Sequence, residues 1–264
     1  MALKRHAELA VTSRADDLAL RALAEIVEIT SDENVRIVGG QMVALLLAAF
    51  PVSGIAARRT RDADAAITTE LAGSGVLHDR LIARGWAASA GNHYVRPVPE
   101  LSISGRAAPG LSVDLLVPSL DGRFRPAQHG GRAFDSAPGL APALAAEPVE
   151  VETSARLLDG TRLSFVARVP TVEMAVVIKA YAYASRRLGR DAEDIYRLLE
   201  IVEGYPPDVI GGWRLGRADL RGSRHDAAGR LQDLRRQARR LSNVGIPAAR
   251  LAALIAQHVR DAED

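Results

Sequence analysis

The sequence predicts an α+β protein in which a mixed α/β core is followed by a helical domain. Short strand patterns alternate with helical patterns up to residue 169, which is typical of a mixed sheet packed against helices. From Pro170 onward, only helical patterns remain. The chain has 264 residues, 48% of them hydrophobic, and is therefore long enough to bury a sizeable core. We place the α/β core at residues 14–169 and the helical domain at residues 170–264.

The front part of the core alternates helices and strands. Apolar residues recur at helical or strand spacing, and Gly, Pro or polar clusters separate the segments. The predicted elements are a helix at 14–30, a strand at 35–38, a tight turn at Gly39-Gly40, an apolar helix at 41–50, a strand at 62–67, a helix at 70–84, and strands at 93–96 and 111–117.

The back part of the core contains a long connection and a hairpin. Residues 119–148 are rich in Gly, Pro, Arg and Ala, and we expect an irregular connection there. Loops of that length are usually functional or mobile. Residues 149–158 and 161–169 are expected to pair as a hairpin around Asp159-Gly160, since Asp-Gly is a common two-residue turn.

The helical domain is expected to begin with a capped helix. Thr171 is placed to cap it, and the helix is expected to run to about Leu188. Asp191 and Asp194 fall in the first turn of the next helix, where acidic side chains are favourable. The further predicted helices lie at 191–203, 217–241 and 247–259.

Composition limits the classes of protein to which the chain can belong. It contains no cysteine, which excludes disulfides and Cys-ligated zinc. The sequence lacks the basic start and following apolar run that would indicate a signal peptide. The longest apolar run, Met42 to Phe50, is too short to span a bilayer. We therefore expect a soluble, cytoplasmic protein that does not bind membranes.

Basic residues are unevenly distributed along the chain. The formal net charge is only +2 although the sequence pI is about 9.2, and eight arginines lie between Arg217 and Arg240. That stretch is either a solvated helix face or an RNA-facing surface. Lysine occurs only at Lys4 and Lys179. A lysine acts as a compact point charge towards phosphate, so Lys179, on a mostly apolar helix, is a candidate anion-binding residue.

Three aspartates are the strongest candidates for chemistry. Asp62 and Asp64 lie two residues apart on a predicted strand, so their carboxylates point to the same face. Asp114 lies in an otherwise apolar strand, where an unpaired charge would be costly. Mg²⁺ prefers oxygen ligands, and two metal ions can stabilise the attacking and leaving oxygens of an in-line displacement. The three aspartates therefore predict a magnesium site that acts on a phosphate substrate.

The pair Gly39-Gly40 lies between a predicted strand and a predicted helix. Glycines let the backbone approach phosphates, and the free N–H groups at a helix start point at them. Alone, a Gly-Gly pair more often marks a tight turn, and Asp-x-Asp is common by chance. The ordered set of strand, Gly-Gly, helix, Asp-x-Asp and a later strand Asp is far more specific.

This ordered set resembles the nucleotidyltransferase superfamily built on the polymerase-beta-type fold. Within it, the chain is similar to the AbiEii family, toxins of type IV toxin–antitoxin systems that include the MenT toxins. The resemblance spans most of residues 35–200, and its distal part distinguishes this family from other nucleotidyltransferases. The matching segments are Val38-Gly39-Gly40, Arg59-Thr60-Arg61-Asp62-Ala63-Asp64, Val113-Asp114, Lys179-Ala180-Tyr181-Ala182, Arg186-Arg187 and Arg190-Asp191-Ala192-Glu193-Asp194-Ile195.

The chain departs from the family pattern in three respects. Gln41 stands where the family often has Thr or Ser, which removes a hydroxyl that could contact phosphate. Ala65 stands where an aromatic residue is frequent. A Lys-rich second motif is missing from the sequence, although Arg58, Arg59 and Arg61 supply positive charge in that region.

The resemblance implies a role for each matched residue. Lys179 is expected to neutralise charge on the phosphates, and Asp194 to position Lys179 or a substrate hydroxyl, whereas Asp191 is a candidate helix cap. Tyr181 and Tyr183 are open to base stacking or core packing. The implied metal ligands are Asp62, Asp64 and Asp114. The implied nucleotide-binding residues are Gly39, Gly40, Gln41, Arg61 and Lys179. The implied catalytic residues are Asp62, Asp64, Asp114, Lys179 and Asp194. No role is assigned to His78, His93, His129 or His225, which lack metal-ligand spacing.

The predicted function is Mg²⁺-dependent transfer of NMP from an NTP to a hydroxyl acceptor. The resemblance implies a tRNA 3′ end as acceptor, a role as the toxin of a toxin–antitoxin pair, and an antitoxin protein as partner. Candidate RNA contacts are the stretch from Arg217 to Arg240 and the arginines Arg123, Arg125 and Arg132. Two alternatives stay open. One is a transferase of the same fold that modifies a protein or a small molecule, and the other is a catalytically inactive module that binds RNA or a partner.

Overall fold

The structure, a computed structural model, describes residues 2–58, 60, 62–99, 110–238 and 245–261. Every described strand lies before Pro170 and only helices follow it, so the predicted α+β class is confirmed. In chain order, the elements are β1 Leu3–Ala10, α1 Arg14–Ile29, β2 Arg36–Val38, α2 Gly39–Ala49, β3 Ala63–Ala66, α3 Thr69–Ser74, α4 Val76–Ala83, β4 Ala87–Ala90, β5 His93–Pro97, β6 Gly110–Pro118, β7 Arg125–His129, β8 Arg132–Ala137, α5 Leu140–Ala145, β9 Val149–Arg156, β10 Arg162–Val169, α6 Val172–Arg186, α7 Gly189–Gly204, α8 Ser223–Gln237 and α9 Ala248–His258.

The larger sheet has seven strands and is mixed. Its main path is β2-β3-β6-β5-β4, and β8 pairs with both β6 and β7. β6 runs parallel to β3 and β8 and antiparallel to β5. In β6, every second residue from Leu111 to Val117 is buried, and the residues between them, including Asp114, are partly exposed. One face of β6 therefore packs in the core while the other presents Asp114.

The smaller sheet has the order β1-β9-β10 and begins earlier in the chain than expected. β9 and β10 form the hairpin predicted around Asp159-Gly160. β1 pairs in parallel with β9, so the α/β part starts at Leu3 rather than at residue 14. Ala7 is the one fully buried residue of β1, and the strand therefore shows little of the apolar alternation that identifies strands in a sequence.

The prediction of an irregular connection at 119–148 is wrong. β7 and β8 form a hairpin there, and α5 follows. Gly130 and Gly131 have φ angles of 56° and 74° and make the turn, in keeping with Gly-Gly as a hairpin turn pair. β7 is mostly exposed and lacks apolar alternation. Arg125 and Arg132, expected in a loop, lie in these strands instead.

Glycines alter two helices relative to the prediction. The helix expected at 70–84 is divided into α3 and α4 at Gly75, whose φ is 77°. Gly39 and Gly40 are the first residues of α2 rather than a turn before it. β2 therefore leads directly into the N-terminus of α2. β4, which was not predicted, consists of four exposed residues.

The helices after Pro170 are organised around α6. Thr171 caps α6, as predicted, by accepting a hydrogen bond from the backbone N–H of Met174. Every residue of α6 from Val172 to Tyr183 is buried, with α7 and α8 packed against the helix. α8 begins at Ser223 rather than at residue 217. None of the helices in the described ranges is long and apolar enough to cross a bilayer.

Candidate active site

A row of paired residues crosses four strands of the larger sheet. Val38 of β2 pairs with Asp64 of β3, and Asp64 pairs in turn with Asp114 of β6. On the other side of β6, Asp114 pairs with His93 of β5. Paired residues on adjacent strands project to the same face of a sheet, with Cβ atoms about 5 Å apart. The structure thus places Asp64 and Asp114 side by side, as expected for aspartates on neighbouring strands.

Gly39 lies directly against the carboxylate of Asp64. Its φ is 65°, a left-handed conformation that favours glycine. A Cβ atom at Gly39 would lie 1.8 Å from Oδ2 of Asp64, so the close approach also requires glycine. The Asp64 carboxylate is therefore held at the N-terminus of α2, where the first backbone N–H groups have no partner within the helix.

The segment before β3 passes over the start of α2. A Cβ atom at Gly40 would lie 2.9 Å from Oγ1 of Thr60 and 3.0 Å from Nη2 of Arg58. Gln41 is buried and, with Thr60 and Arg58, helps to line a cavity of about 210 Å³. Arg61, predicted to bind nucleotide, lies outside the described residues.

The surroundings of Asp64 disfavour its charge. Burial, followed by the negative charges of Asp114 and Asp62, raises the pKa of Asp64 from 3.8 to about 6. Lys179 and Arg186 lower the pKa of Asp64 but do not cancel the rise. A bound cation would offset both the burial of Asp64 and its repulsion by the other aspartates.

The carboxylates suit Mg²⁺ but do not form a complete metal centre by themselves. Asp64 and Asp114 are neighbours, the Asp114 side chain is 32% exposed, and Asp62 is exposed just before β3. Within the described ranges, no three His, Asp or Glu side chains converge as a ready-made metal site. The pair fits Mg²⁺ chemistry, because this ion commonly takes one or two carboxylates and completes its shell with water and phosphate oxygens.

A cluster of buried charges forms the second part of the site, where α6 meets α7. Lys179 on α6 is 4% exposed, and its Nζ lies 2.7 Å from Oδ2 of Asp194 and 4.0 Å from Oδ1 of Asp191. Both aspartates lie on α7 and are buried. A buried charge is costly unless it is paired, so this contact holds the ammonium in place.

Two arginines extend this cluster. Arg186 donates to Oδ1 of Asp191 at 2.9 Å, and Nη2 of Arg58 lies 3.5 Å from Oδ2 of Asp194. Asp191 therefore pairs with cations rather than capping α7, whose N-cap residue is Leu188. One oxygen of each aspartate, Oδ2 of Asp191 and Oδ1 of Asp194, is buried and has no hydrogen-bond partner among the described residues. The cations thus saturate only part of the acceptor capacity in the cluster.

The charge cluster lies close enough to the aspartate row to act on it electrostatically. Lys179 and Arg186 both lower the pKa of Asp64 through their positive charge, so they lie within electrostatic reach of its carboxylate. α7 also holds the segment that leads into β3, because Nε of Arg197 donates to the Ala56 carbonyl at 2.7 Å. The site has a negative side on the sheet and a positive side on α6.

Tyr181 and Tyr183 pack in the protein interior. Both side chains are buried. The Tyr181 hydroxyl donates to Oδ2 of Asp226 at 2.9 Å, and the guanidinium of Arg230 lies 4.5 Å from the centre of the Tyr181 ring. Of the two roles left open by the sequence, the structure favours core packing for both tyrosines.

Several arginines predicted to contact RNA are engaged within the protein. Arg132 donates to a tyrosine hydroxyl and to a backbone carbonyl at 2.8 Å and 3.0 Å. Arg224 donates to the buried carboxylate of Glu173 at 2.5 Å. Arg239 and Arg240 lie outside the described residues. Candidates with exposed side chains are Arg123, Arg125, Arg217, Arg221 and Arg236.

His93 was not predicted to have a role, yet it contacts the aspartate row. Its Nδ1 lies 2.7 Å from Oδ1 of Asp114. The contact results from the antiparallel pairing of β5 with β6, and no local spacing in the sequence specifies that register. The available signal was weak: His93 begins a predicted strand that precedes the strand carrying Asp114.

Comparisons with known proteins include a distant similarity to a solved structure. No protein-family model matches the sequence, and no curated protein is significantly similar to it. Among solved structures, the chain is similar to an antigenic nucleotidyltransferase-like protein from Paracoccidioides brasiliensis, with 14% sequence identity and a TM-score of 0.47. That similarity covers 94% of this chain and 96% of the other. It is too distant to assign a role to any residue, so a functional assignment depends on the geometry of the site.

Proposed function

We propose that the chain is a nucleotidyltransferase that moves a nucleoside monophosphate from an NTP to a hydroxyl acceptor. The observation that carries this proposal is the alignment of Asp64 with Asp114 and with Gly39 at the start of α2. Adjacent carboxylates can bind a divalent cation, and a glycine-lined helix N-terminus can bind phosphates. The resemblance of the sequence to the nucleotidyltransferase superfamily supports the same function.

The triphosphate would bind between the sheet and α6. Backbone N–H groups at Gly39 and Gly40 donate to phosphate oxygens, and the missing side chains permit the close approach. Lys179 supplies positive charge against the leaving pyrophosphate. An ammonium group has three donors, so Lys179 can keep its hydrogen bond to Asp194 while it contacts a phosphate oxygen.

Asp64 and Asp114 would hold Mg²⁺, with Asp62 as a further ligand, and the bound ion supplies charge neutralisation and alignment of the phosphates. In the reaction, the acceptor oxygen forms a bond to the α-phosphorus. The bond between that phosphorus and the oxygen bridging to the β-phosphate breaks, and pyrophosphate leaves. Asp114, farther from Gly39 than Asp64 is, accepts the proton of the acceptor hydroxyl.

We further propose that the acceptor is the 3′ end of an RNA, specifically tRNA, and that the chain acts as a toxin held in check by an antitoxin protein. The support is the resemblance to the AbiEii family in the segment from Lys179 to Asp194. A terminal hydroxyl is an accessible nucleophile that requires no base flipping. Phosphate contacts from exposed arginines would make RNA binding weaken steeply with salt.

The engagement of Arg132 and Arg224 within the protein favours a second candidate, a transferase of the same kind that modifies a protein or a small molecule. An inactive binding module is disfavoured. Such a module has no use for the repulsion between Asp64 and Asp114, which costs stability unless a ligand offsets it.

Transfer of isotope from labelled NTPs tests the proposed reaction. Each NTP is labelled at either the α- or the γ-phosphate. It is then incubated with the protein, Mg²⁺ and, in separate reactions, an RNA, a protein or a small-molecule fraction. We expect label from the α-position in RNA and none from the γ-position, because pyrophosphate leaves. Label in protein or small molecules would favour the second candidate. If the wild type and Asp64→Ala transfer the α-label equally in every fraction, the proposed nucleotidyltransferase activity is refuted.

Growth of a bacterial host tests the biological role. Expression of the wild type should slow growth, and Asp64→Ala should relieve the effect. If the alanine variant is as toxic as the wild type, nucleotide transfer is not how the protein acts.

A further inference from the structure

His93 lies at the end of the aspartate row that is farthest from Gly39. The order across the sheet is Gly39 beside Asp64, then Asp114, then His93. The His93 side chain is 34% exposed, so the ring borders the open side of the site. The triphosphate is assigned to the Gly39 end, which leaves the His93 end for the acceptor.

The His93 ring restrains the carboxylate of Asp114. An ionised carboxylate can only accept hydrogen bonds, so Nδ1 of His93 is the donor to Oδ1 of Asp114 across 2.7 Å. The neighbour on the other side, Asp64, repels Asp114. His93 therefore fixes one oxygen of Asp114 on the side away from Asp64 and leaves Oδ2 for a cation or for the acceptor hydroxyl.

We propose that His93 is a positioning residue that sets the orientation of Asp114 through its Nδ1–H group, and thereby the affinity of the aspartate pair for a divalent cation. The inference rests on the proposed function, because it assumes that Asp64 and Asp114 bind the cation. Hydrogen-bond partners of metal-binding side chains typically change metal affinity by about 10–100-fold when they are removed.

The matched control is another histidine paired with a carboxylate. His6 of β1 has its Nδ1 3.0 Å from Oε2 of Glu152 on the smaller sheet. That pair has the same chemistry as His93 and Asp114 but belongs to a different sheet from the aspartate row. His6→Ala should therefore leave the affinity for cations unchanged.

Binding of Mn²⁺ to the full chain, measured by electron paramagnetic resonance of the free ion, tests the inference without requiring turnover. His93→Ala should weaken Mn²⁺ binding by about 10-fold or more. His93→Asn should restore most of the affinity, because the amide nitrogen of Asn can occupy the place of Nδ1. His93→Gln should not, because its amide lies one carbon farther out. Thermal melting of each variant confirms that it is folded.

Two results would overturn the inference, and both leave the proposed function intact if Asp64→Asn still loses Mn²⁺ binding. One is wild-type affinity in His93→Ala. The other is equal weakening in His93→Asn and His93→Ala, which would assign the effect to packing. If the wild type and Asp64→Asn bind Mn²⁺ equally, the cation site itself is refuted, and the inference with it.

Discussion

Two carboxylates, Glu173 in α6 and Asp64 in β3, have opposite surroundings. Glu173 is 3% exposed and accepts hydrogen bonds from Nε of Arg224 at 2.5 Å and from the backbone N–H groups of Leu215, at 3.2 Å, and Arg214. Asp64 is partly buried and receives no hydrogen bond from the described residues. Its nearest charged neighbour across the sheet carries the same sign.

On the proposed function, the difference separates a structural carboxylate from one held for a ligand. Fixed donors offset the cost of burying Glu173, so its charge stabilises the packing of α6 against the chain before α8. Burial opposes the charge of Asp64, as do the negative charges of Asp114 and Asp62, and together they raise its pKa. Strongly perturbed groups in a cleft are characteristic of functional sites.

The largest effect is expected at Lys179, which is buried and paired with Asp194 and also acts electrostatically on Asp64. Lys179→Met leaves Asp194 buried without its ammonium and should lower the free energy of unfolding by about 3–5 kcal/mol. Adding Asp194→Leu should recover most of that loss, because an apolar pair replaces the ion pair. Urea denaturation measures both changes.

The double variant also separates structure from function. Nucleotide transfer should stay lost even where stability returns, because the positive charge facing the aspartates is gone. Full transfer by the double variant would show that Lys179 serves the fold alone and would remove the link between the two parts of the site.

Gly39→Ala should nearly abolish transfer. The new Cβ atom would meet Oδ2 of Asp64 at 1.8 Å, and displacing the carboxylate should lower the rate by about 100-fold or more. Gly54→Ala is the matched control, because Gly54 also has a positive φ, 78°, but has open space around its Cβ position. Steady-state rates should fall only in the first variant, and equal losses in both would point to backbone strain instead.

Glu173→Gln tests the structural side of the comparison. The variant keeps the shape of the side chain but loses the charge that Arg224 and two backbone N–H groups contact. The free energy of unfolding should fall by about 2 kcal/mol. Transfer per folded molecule should be unchanged. A variant as stable as the wild type would mean that these hydrogen bonds contribute little.

Asp64→Asn should produce the smallest change in stability, and the variant should be more stable than the wild type. Removing the charge should raise the free energy of unfolding at pH 8, in a chelator, by about 1 kcal/mol. The full pKa shift corresponds to roughly 3 kcal/mol, but water screens the partly exposed carboxylate. A raised pKa means that the folded protein binds the proton more tightly than the unfolded chain. The charge of Asp64 therefore does not destabilise the wild type below pH 3.8. The destabilisation grows up to about pH 6 and is constant above it. Urea titrations across this pH range should show that the difference in free energy of unfolding between Asp64→Asn and the wild type follows the same pH dependence.

Local patterns in the sequence were sufficient to predict the elements that carry the site. The mostly apolar run from Leu111 to Val117, ended by Pro118, made the strand around Asp114 recognisable, and Asp62-x-Asp64 marked the strand before it. The contact of Asp64 with Gly39 and the register that joins Asp64 to Asp114 depend on pairing between distant segments. No local spacing encodes those contacts, so the structure was needed to establish them.

Three of the strands that escaped prediction share a physical reason. β1, β4 and β7 have few buried side chains, so they lack the apolar alternation that reports a half-buried strand. His93 escaped because its partner, Asp114, lies 21 residues away on another strand. Conversely, the contact of Asp194 with Lys179 is one of the two roles that the family resemblance implied for Asp194, and spacing did not indicate it.

The central claim is that Asp64 is held for catalysis and Glu173 for structure. Transfer of α-labelled nucleotide to RNA by the wild type, Asp64→Asn and Glu173→Gln, compared at equal concentrations of folded protein, tests it most directly. We predict that Asp64→Asn lowers the rate by at least about 100-fold and that Glu173→Gln leaves it within about twofold of the wild type. A wild-type rate in Asp64→Asn, or an equal loss in both variants, would contradict the claim.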